Sequence, residues 1–154
     1  MNYKVIPIPS KISESVRKNM ISPQYKHPAF ASIATGYGPC RSCLSVFDEG
    51  HNERILFTYN SFEGLSDLPL PSPIFIHKNE CEQFSGEGFP QDLINLPLLF
   101  EAFGENSELI KRKKVEREEI DSQITELFDS EPVKYINLRN SEAGCFVARI
   151  ERRI

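Results

Sequence analysis

The sequence predicts an α+β fold: a single domain over residues 1–154, with a largely antiparallel β-sheet and two main helices. Three observations predict it. Runs with the alternating, β-branched and aromatic character of strands follow one another with little helix between them, and strands adjacent in sequence usually pair antiparallel. Only two stretches repeat apolar residues at helical spacing. Near the C-terminus two strand-like runs flank a five-residue loop ending in glycine, Asn140 to Gly144, which is a hairpin signature. A chain of this length buries roughly 68–70% of its unfolded surface, so it needs neither disulfides nor a metal to fold.

Taken in order, Tyr3 to Ile8 is short, alternating and bounded by Pro7 and Pro9, which suits an edge strand. Ser10 reads as an N-cap. Ile12, Val16 and Met20 then form a narrow apolar stripe before Pro23, giving a helix over about 10–21. Residues 29–35 alternate weakly and run into the turn Gly36-Tyr37-Gly38-Pro39, where glycine permits φ > 0. After a second turn, Asp48 to Asn52, the run Arg54 to Tyr59 has strand composition.

Asn60 to Ser72 reads as a long loop, and Ile74-Phe75-Ile76 as a short buried strand. Cys81 to Gln91 is again loop. Leu96–Phe103 and Leu109–Val115 read as strands around Gly104-Glu105-Asn106. Ile120, Ile124, Leu127 and Phe128 mark the second helix, over about 116–129. Glu116, Glu118 and Glu119 crowd its first turn, where acids complement the helix dipole. Val133–Arg139 and Cys145–Arg152 complete about seven strands.

Composition excludes some classes. The chain is 40% hydrophobic and 26% charged, with a net charge of −4, which argues against a general binder of phosphate backbones. Lys111-Arg112-Lys113-Lys114 is the densest basic run. It lies on an alternating strand, is followed by acids and has no interleaved aromatic, so nucleic acid is not the expected partner. No stretch approaches the ~18 apolar residues of a membrane span, and the N-terminus lacks the 7–15-residue apolar core of a signal peptide. The expected location is the cytoplasm, where four cysteines would be thiols or metal ligands.

Chemistry concentrates in Gly38-Pro39-Cys40-Arg41-Ser42-Cys43 and Pro73-Ile74-Phe75-Ile76-His77-Lys78-Asn79-Glu80-Cys81. Cys40 and Cys43 have the C-x₂-C spacing by which a tight turn offers two thiolates to one ion. His77 and Cys81, three residues between them, have the spacing of a second ligand pair. Together they make a Cys₃His set for which zinc is the candidate ion, although 33 residues lie between the pairs.

Other readings stay open. Free cysteines are most often small buried side chains, and on frequency alone packing leads. A redox role for Cys40-Arg41-Ser42-Cys43 would need a helix to follow, and the acidic turn after it gives none. A Cys–His nucleophile and base pair needs hydrogen-bond reach. Arg139 and Asn140, with Tyr59, form a further candidate, able to line a pocket for a small anion. Asn140 serves equally well as a hairpin cap.

In order along the chain, Gly38-Pro39-Cys40-Arg41-Ser42-Cys43-Leu44, Gly50, Tyr59, Pro73-Ile74-Phe75-Ile76-His77, Cys81, Asn137-Leu138-Arg139-Asn140 and Gly144-Cys145-Phe146 resemble the bacterial domain-of-unknown-function family numbered 1203. The resemblance covers nearly the whole chain and carries no activity over. The chain departs from the family pattern at Ser72, where glycine is usual. It departs again at Glu101-Ala102-Phe103-Gly104, where an Arg-x-Tyr-Asp phrase is usual.

The combined expectation is a ligand-, metal- or partner-binding module centred on Cys40, Cys43, His77 and Cys81. Arg41, Tyr59, Arg139 and Asn140 are further candidates for a small-molecule ligand. The rival reading is a small enzyme using a cysteine or histidine of the same cluster as nucleophile or base.

Overall fold

A computed structural model describes residues 2–62 and 71–153. Among them the order is β1 (Tyr3–Ile6), α1 (Ser10–Asn19), β2 (Phe30–Ile33), β3 (Glu53–Asn60), β4 (Pro71–His77), β5 (Leu98–Phe103), β6 (Leu109–Val115), α2 (Ile120–Asp129), β7 (Tyr135–Asn140) and β8 (Phe146–Arg152). All pairings are antiparallel, and the fold is α+β with two helices. The strands split into two sheets rather than one: β1-β8-β7-β5-β6 and β2-β3-β4.

Strand alternation decides which faces meet. On β5, Leu98, Phe100 and Ala102 join Ile136 and Leu138 of β7 and Ala148 and Ile150 of β8 in one buried cluster. The α2 residues Ile120, Ile124 and Leu127 belong to the same cluster, so α2 covers one face of the five-stranded sheet. The helix starts where the acids stand. Glu116 and Glu119 form a reciprocal capping box around a 3-10 turn, Arg117–Glu119, that leads into α2.

A second cluster holds Ile12 and Val16 of α1 with Ile55 and Phe57 of β3 and Ile74 and Ile76 of β4. Burying each of these aliphatic side chains contributes on the order of 1.5–3 kcal/mol. Cys40 and Phe47 belong to the same cluster. The smaller sheet and α1 therefore form the wall on which the cysteine turn rests.

Several boundaries differ from expectation. Ser10 is the first helical residue and not the cap; Pro9 occupies the cap position, and its carbonyl accepts from Ile12 N at 2.9 Å. Proline fits there because its fixed φ, here −57°, already suits the helix entry. The helix ends at Asn19, with Met20 left-handed at φ 54°, three residues before Pro23. The loop expected over Asn60–Ser72 is shortened at both ends, because Asn60↔Pro71 and Tyr59↔Ser72 still pair; residues 63–70 lie outside the described ones.

The predicted hairpin is present, with Asn140 N donating to Cys145 O and Gly144 N to Asn140 O. The basic run falls on β6, an edge strand of the larger sheet, where lysines discourage pairing with another chain. No helix among the described residues is long and apolar enough to cross a membrane.

Candidate metal centre

The first ligand pair is held by backbone. Gly38 has φ +102°, and a Cβ there would stand 2.4 Å from the Phe47 ring, so both conformation and space require glycine. Beyond it the chain turns back on itself. Leu44 N donates to Cys40 O and Cys40 N to Ser45 O, both at 2.9 Å, with Leu44 left-handed at φ 59°. Arg41 N donates to Phe75 O of β4 at 3.0 Å, which fixes this turn against the smaller sheet.

The second pair arrives on β4. The antiparallel β3–β4 pairing returns the chain through the intervening 33 residues and sets His77 opposite Arg54, at the strand's end. Cys81 follows, and Phe84 N donates to Ser42 O at 3.0 Å, tying the second loop to the first turn. The sequence separation that counted against a shared site is closed by one hairpin.

The four ligand atoms lie within 4.8 Å of one another. Cys40 Sγ and Cys81 Sγ are 3.9 Å apart, and Cys43 Sγ and His77 Nδ1 are 3.4 Å apart. A tetrahedral ion with Zn–S near 2.3 Å and Zn–N near 2.0–2.1 Å would separate two sulfurs by about 3.8 Å and a sulfur and a nitrogen by about 3.5 Å. These two separations have the lengths of tetrahedron edges. All four cysteines of the chain are free thiols, and Cys145 stands apart, its Sγ directed at Ala143 O.

Two donors address the sulfurs from outside the ligand set. His77 N lies 3.3 Å from Cys40 Sγ. Arg17, from α1, donates through Nη2 to Cys81 Sγ at 3.2 Å and through Nε to His77 O at 3.1 Å. Phe47 closes another side, its ring edge-on to the His77 ring at 4.7 Å.

Crowding without an ion redistributes the protons. Hydrogen bonds to Cys43 and then to Cys81 push His77 up to about 9. Hydrogen bonds from Cys40 and Cys43, aided by His77 and the Arg17 charge, hold Cys81 well below the ordinary thiol range. Cys43 moves the other way, because its hydrogen bonds with Cys40 and Cys81 favour its protonated form and burial adds to them. Without metal these shifts favour a thiolate at Cys81 beside an imidazolium at His77. The same four atoms, once deprotonated, are the donor set zinc prefers.

The other candidates are placed less compactly. Arg41 is buried, donating through Nε to Phe146 O at 2.8 Å and through Nη1 to Pro39 O at 2.7 Å; burial lowers its pKa to about 10. Arg41 and Asn140 line one cavity, Arg139 lines a neighbouring one, and Tyr59 lines a third, packed at 5.7 Å against Phe146. Asn140 Oδ1 accepts from Glu142 N and Ala143 N, the hairpin role. Arg139 Nε donates to Glu101 Oε1 at 2.6 Å.

Neither Arg17 nor Phe47 stands out in the sequence. Arg17 reads there as one of two cations suiting the C-terminal turn of α1, and only the packing of α1 on the smaller sheet brings it to Cys81.

No curated protein and no solved structure matches the chain. A family model described as "Protein of unknown function (DUF1203)" matches residues 37–152, which include all four ligand residues and every strand from β3 to β8. With most of its length under that match, the chain belongs to the DUF1203 family.

Proposed function

We propose that this protein is a zinc-binding domain in which Cys40, Cys43, His77 and Cys81 close around one ion. The observation that carries this reading is the gathering of four donor atoms within 4.8 Å, two of their separations matching the edges of a tetrahedral site. Four protein ligands leave no position for substrate, so the ion would be structural rather than catalytic. It would pin the 40–45 turn and the loop after β4 to the smaller sheet and α1. Three thiolates and a neutral imidazole give a zinc site a net charge of −1, which Arg17 offsets. Thiolates kept as ligands suit a reducing compartment such as the cytoplasm.

Elemental analysis of protein purified without a metal-affinity tag tests this. About one zinc per chain is expected, together with thiolate-to-metal absorption after cobalt replacement. A protein that neither carries zinc nor takes up cobalt would refute it.

One observation favours a second reading. Arg17 and His77 flank a Cys81 whose thiolate is already favoured without metal, which is the setting of a reactive cysteine. In that case Cys81 of the purified protein would be alkylated quickly and alone near neutral pH. A zinc-bound Cys81 would react slowly until a chelator is added.

A further inference from the structure

Arg41 carries a charge that the chain does not compensate. Its side chain is 96% buried, the residue being 4% exposed, yet its bonds are to two carbonyls and no carboxylate pairs with it among the described residues. Its remaining terminal nitrogen, Nη2, has no protein partner. Buried cations are ordinarily matched by an anion, since desolvation of an unpaired charge is costly.

The space beside Arg41 explains where the anion belongs. Arg41 lines a cavity of about 340 Å³ together with Arg54, Phe75, Asn140 and Cys145. Arg54 also lacks a carboxylate within ion-pair distance; it lies 3.7 Å over the Phe75 ring, and its Nε is buried without a partner. Two guanidiniums thus border one cavity with no acid among its described lining residues.

The neighbouring cavity, about 450 Å³, continues the pattern, with Arg112 and Arg139 against the single carboxylate of Glu101. Pro71, Pro73 and Phe75 are alternate residues of β4 and so share a face, and the β7–β8 loop borders both cavities through Ala143, Gly144 and Cys145. Among the described residues, four arginines and one glutamate line this trough in a protein whose net charge is −4. Clefts of one sign concentrate ligands of the other.

We propose that the trough between β4 and the β7–β8 loop binds a small organic anion, whose carboxylate or phosphate group is held by Arg41 and Arg54 and whose apolar part lies along Pro73 and Phe75. Planar guanidiniums recognise both groups through paired N–H donors, so the two ligand types share one chemistry. The site is distinct from the metal centre, and binding here does not depend on zinc chemistry.

The test is a calorimetric and NMR titration of the purified protein with citrate and with inorganic phosphate, each against sodium chloride at equal ionic strength. Saturable binding of citrate or of phosphate is expected, with shifts at the Arg41 and Arg54 side chains; whichever binds more tightly identifies the group preferred. Arg54→Gln should weaken binding roughly tenfold or more, the value of a charge-assisted hydrogen bond. Ala143→Trp, on the exposed loop, should block the cavity while leaving the melting temperature unchanged. Responses no different from sodium chloride would overturn the proposal. So would binding that survives both substitutions.

Discussion

The cysteine–histidine cluster and the Glu101 ion pairs are both polar groups set where a sheet meets its surroundings, and they differ in what the chain provides for them. Glu101 accepts from Arg139 Nε at 2.6 Å on one oxygen and from Arg112 Nε and Nη2 at 2.9 and 2.7 Å on the other. Arg112 stands directly opposite it across the β5–β6 pairing. Both carboxylate oxygens are thus supplied with donors, while Arg139 Nη2 is left buried without a partner. At Cys40, Cys43, His77 and Cys81 the ring nitrogen and the sulfurs are largely one another's partners, with Arg17 and the His77 amide as further donors. Opposite charges drawn from three strands meet at Glu101, whereas the cluster gathers four donor atoms where one ion could be held.

The largest effect should follow loss of the proposed zinc. Structural zinc contributes on the order of 10 kcal/mol where it folds a small module alone. Here the core around α2 takes only Leu44 and, at its edge, Phe84 from the two loops, so the loss should be mainly local. Chelation, or Cys43→Ser, should abolish zinc retention. Hydrogen exchange should then accelerate at Cys40, Leu44 and Phe84, whose amides hold the two loops, while Phe100, Ile136 and Ala148 stay protected. Uniform acceleration across both sheets would erase the distinction drawn above.

Breaking the Glu101 ion pairs should cost stability and change nothing at the proposed zinc site. Glu101→Ala leaves Arg139 buried without its anion, a change of about 3–5 kcal/mol, readable by urea denaturation. Zinc stoichiometry should not move. Glu101→Gln, which keeps the shape and an acceptor, should cost less.

These two regions were unequally visible in the sequence. The C-x₂-C pair and His-x₃-Cys pair announce themselves because ligand spacing is a local property, set by what one turn can present to one ion. Most strands were visible for the same reason, since alternation is local. That the strands form two sheets was not, because pairing across the gap between β4 and β5 depends on which buried faces fit, and periodicity does not carry that. Glu101 stands out in the sequence only as a departure from the family phrase; its two arginines come from β6 and β7. Arg41 seemed a charge beside a thiol, and its burial against β8 appears only when the turn docks.

Arg17 sharpens the comparison from the side of the site. Its Nη2 addresses a sulfur and its Nε the carbonyl of a second ligand residue, so it both neutralises and orients. Arg17→Gln should lower zinc affinity about 10–100-fold, the usual range for such outer contacts. A competition titration against a chromophoric chelator measures it. The fold should be nearly unaffected, because Arg17 lies outside the buried stripe of α1, Ile12 and Val16. An unchanged affinity would make the contact incidental.

The finest test is pH, where the metal-free and metal-bound proteins should respond differently. Without metal, His77 is raised from 6.5 to about 9, so its stabilisation is complete below about 6.5 and lost as pH rises through about 9. Cys81 is depressed from an ordinary value of 9.0, so its stabilisation is present above that value and lost as pH falls toward its folded pKa. Between about 6.5 and 9 the two cancel in proton count: the unfolded chain keeps a proton on the Cys81 thiol, the folded one keeps it on His77. The pair therefore makes no contribution to the slope of stability in that window, with losses on either side. Zinc changes the count. It must displace the proton on His77 and those on Cys40 and Cys43, both held up by their neighbours, so affinity should climb with pH across the same window. Calorimetry in buffers of different ionisation enthalpy counts the protons released. Release of none would mean that the ligands were already deprotonated, and that the thiolate–imidazolium arrangement does not exist in the free protein.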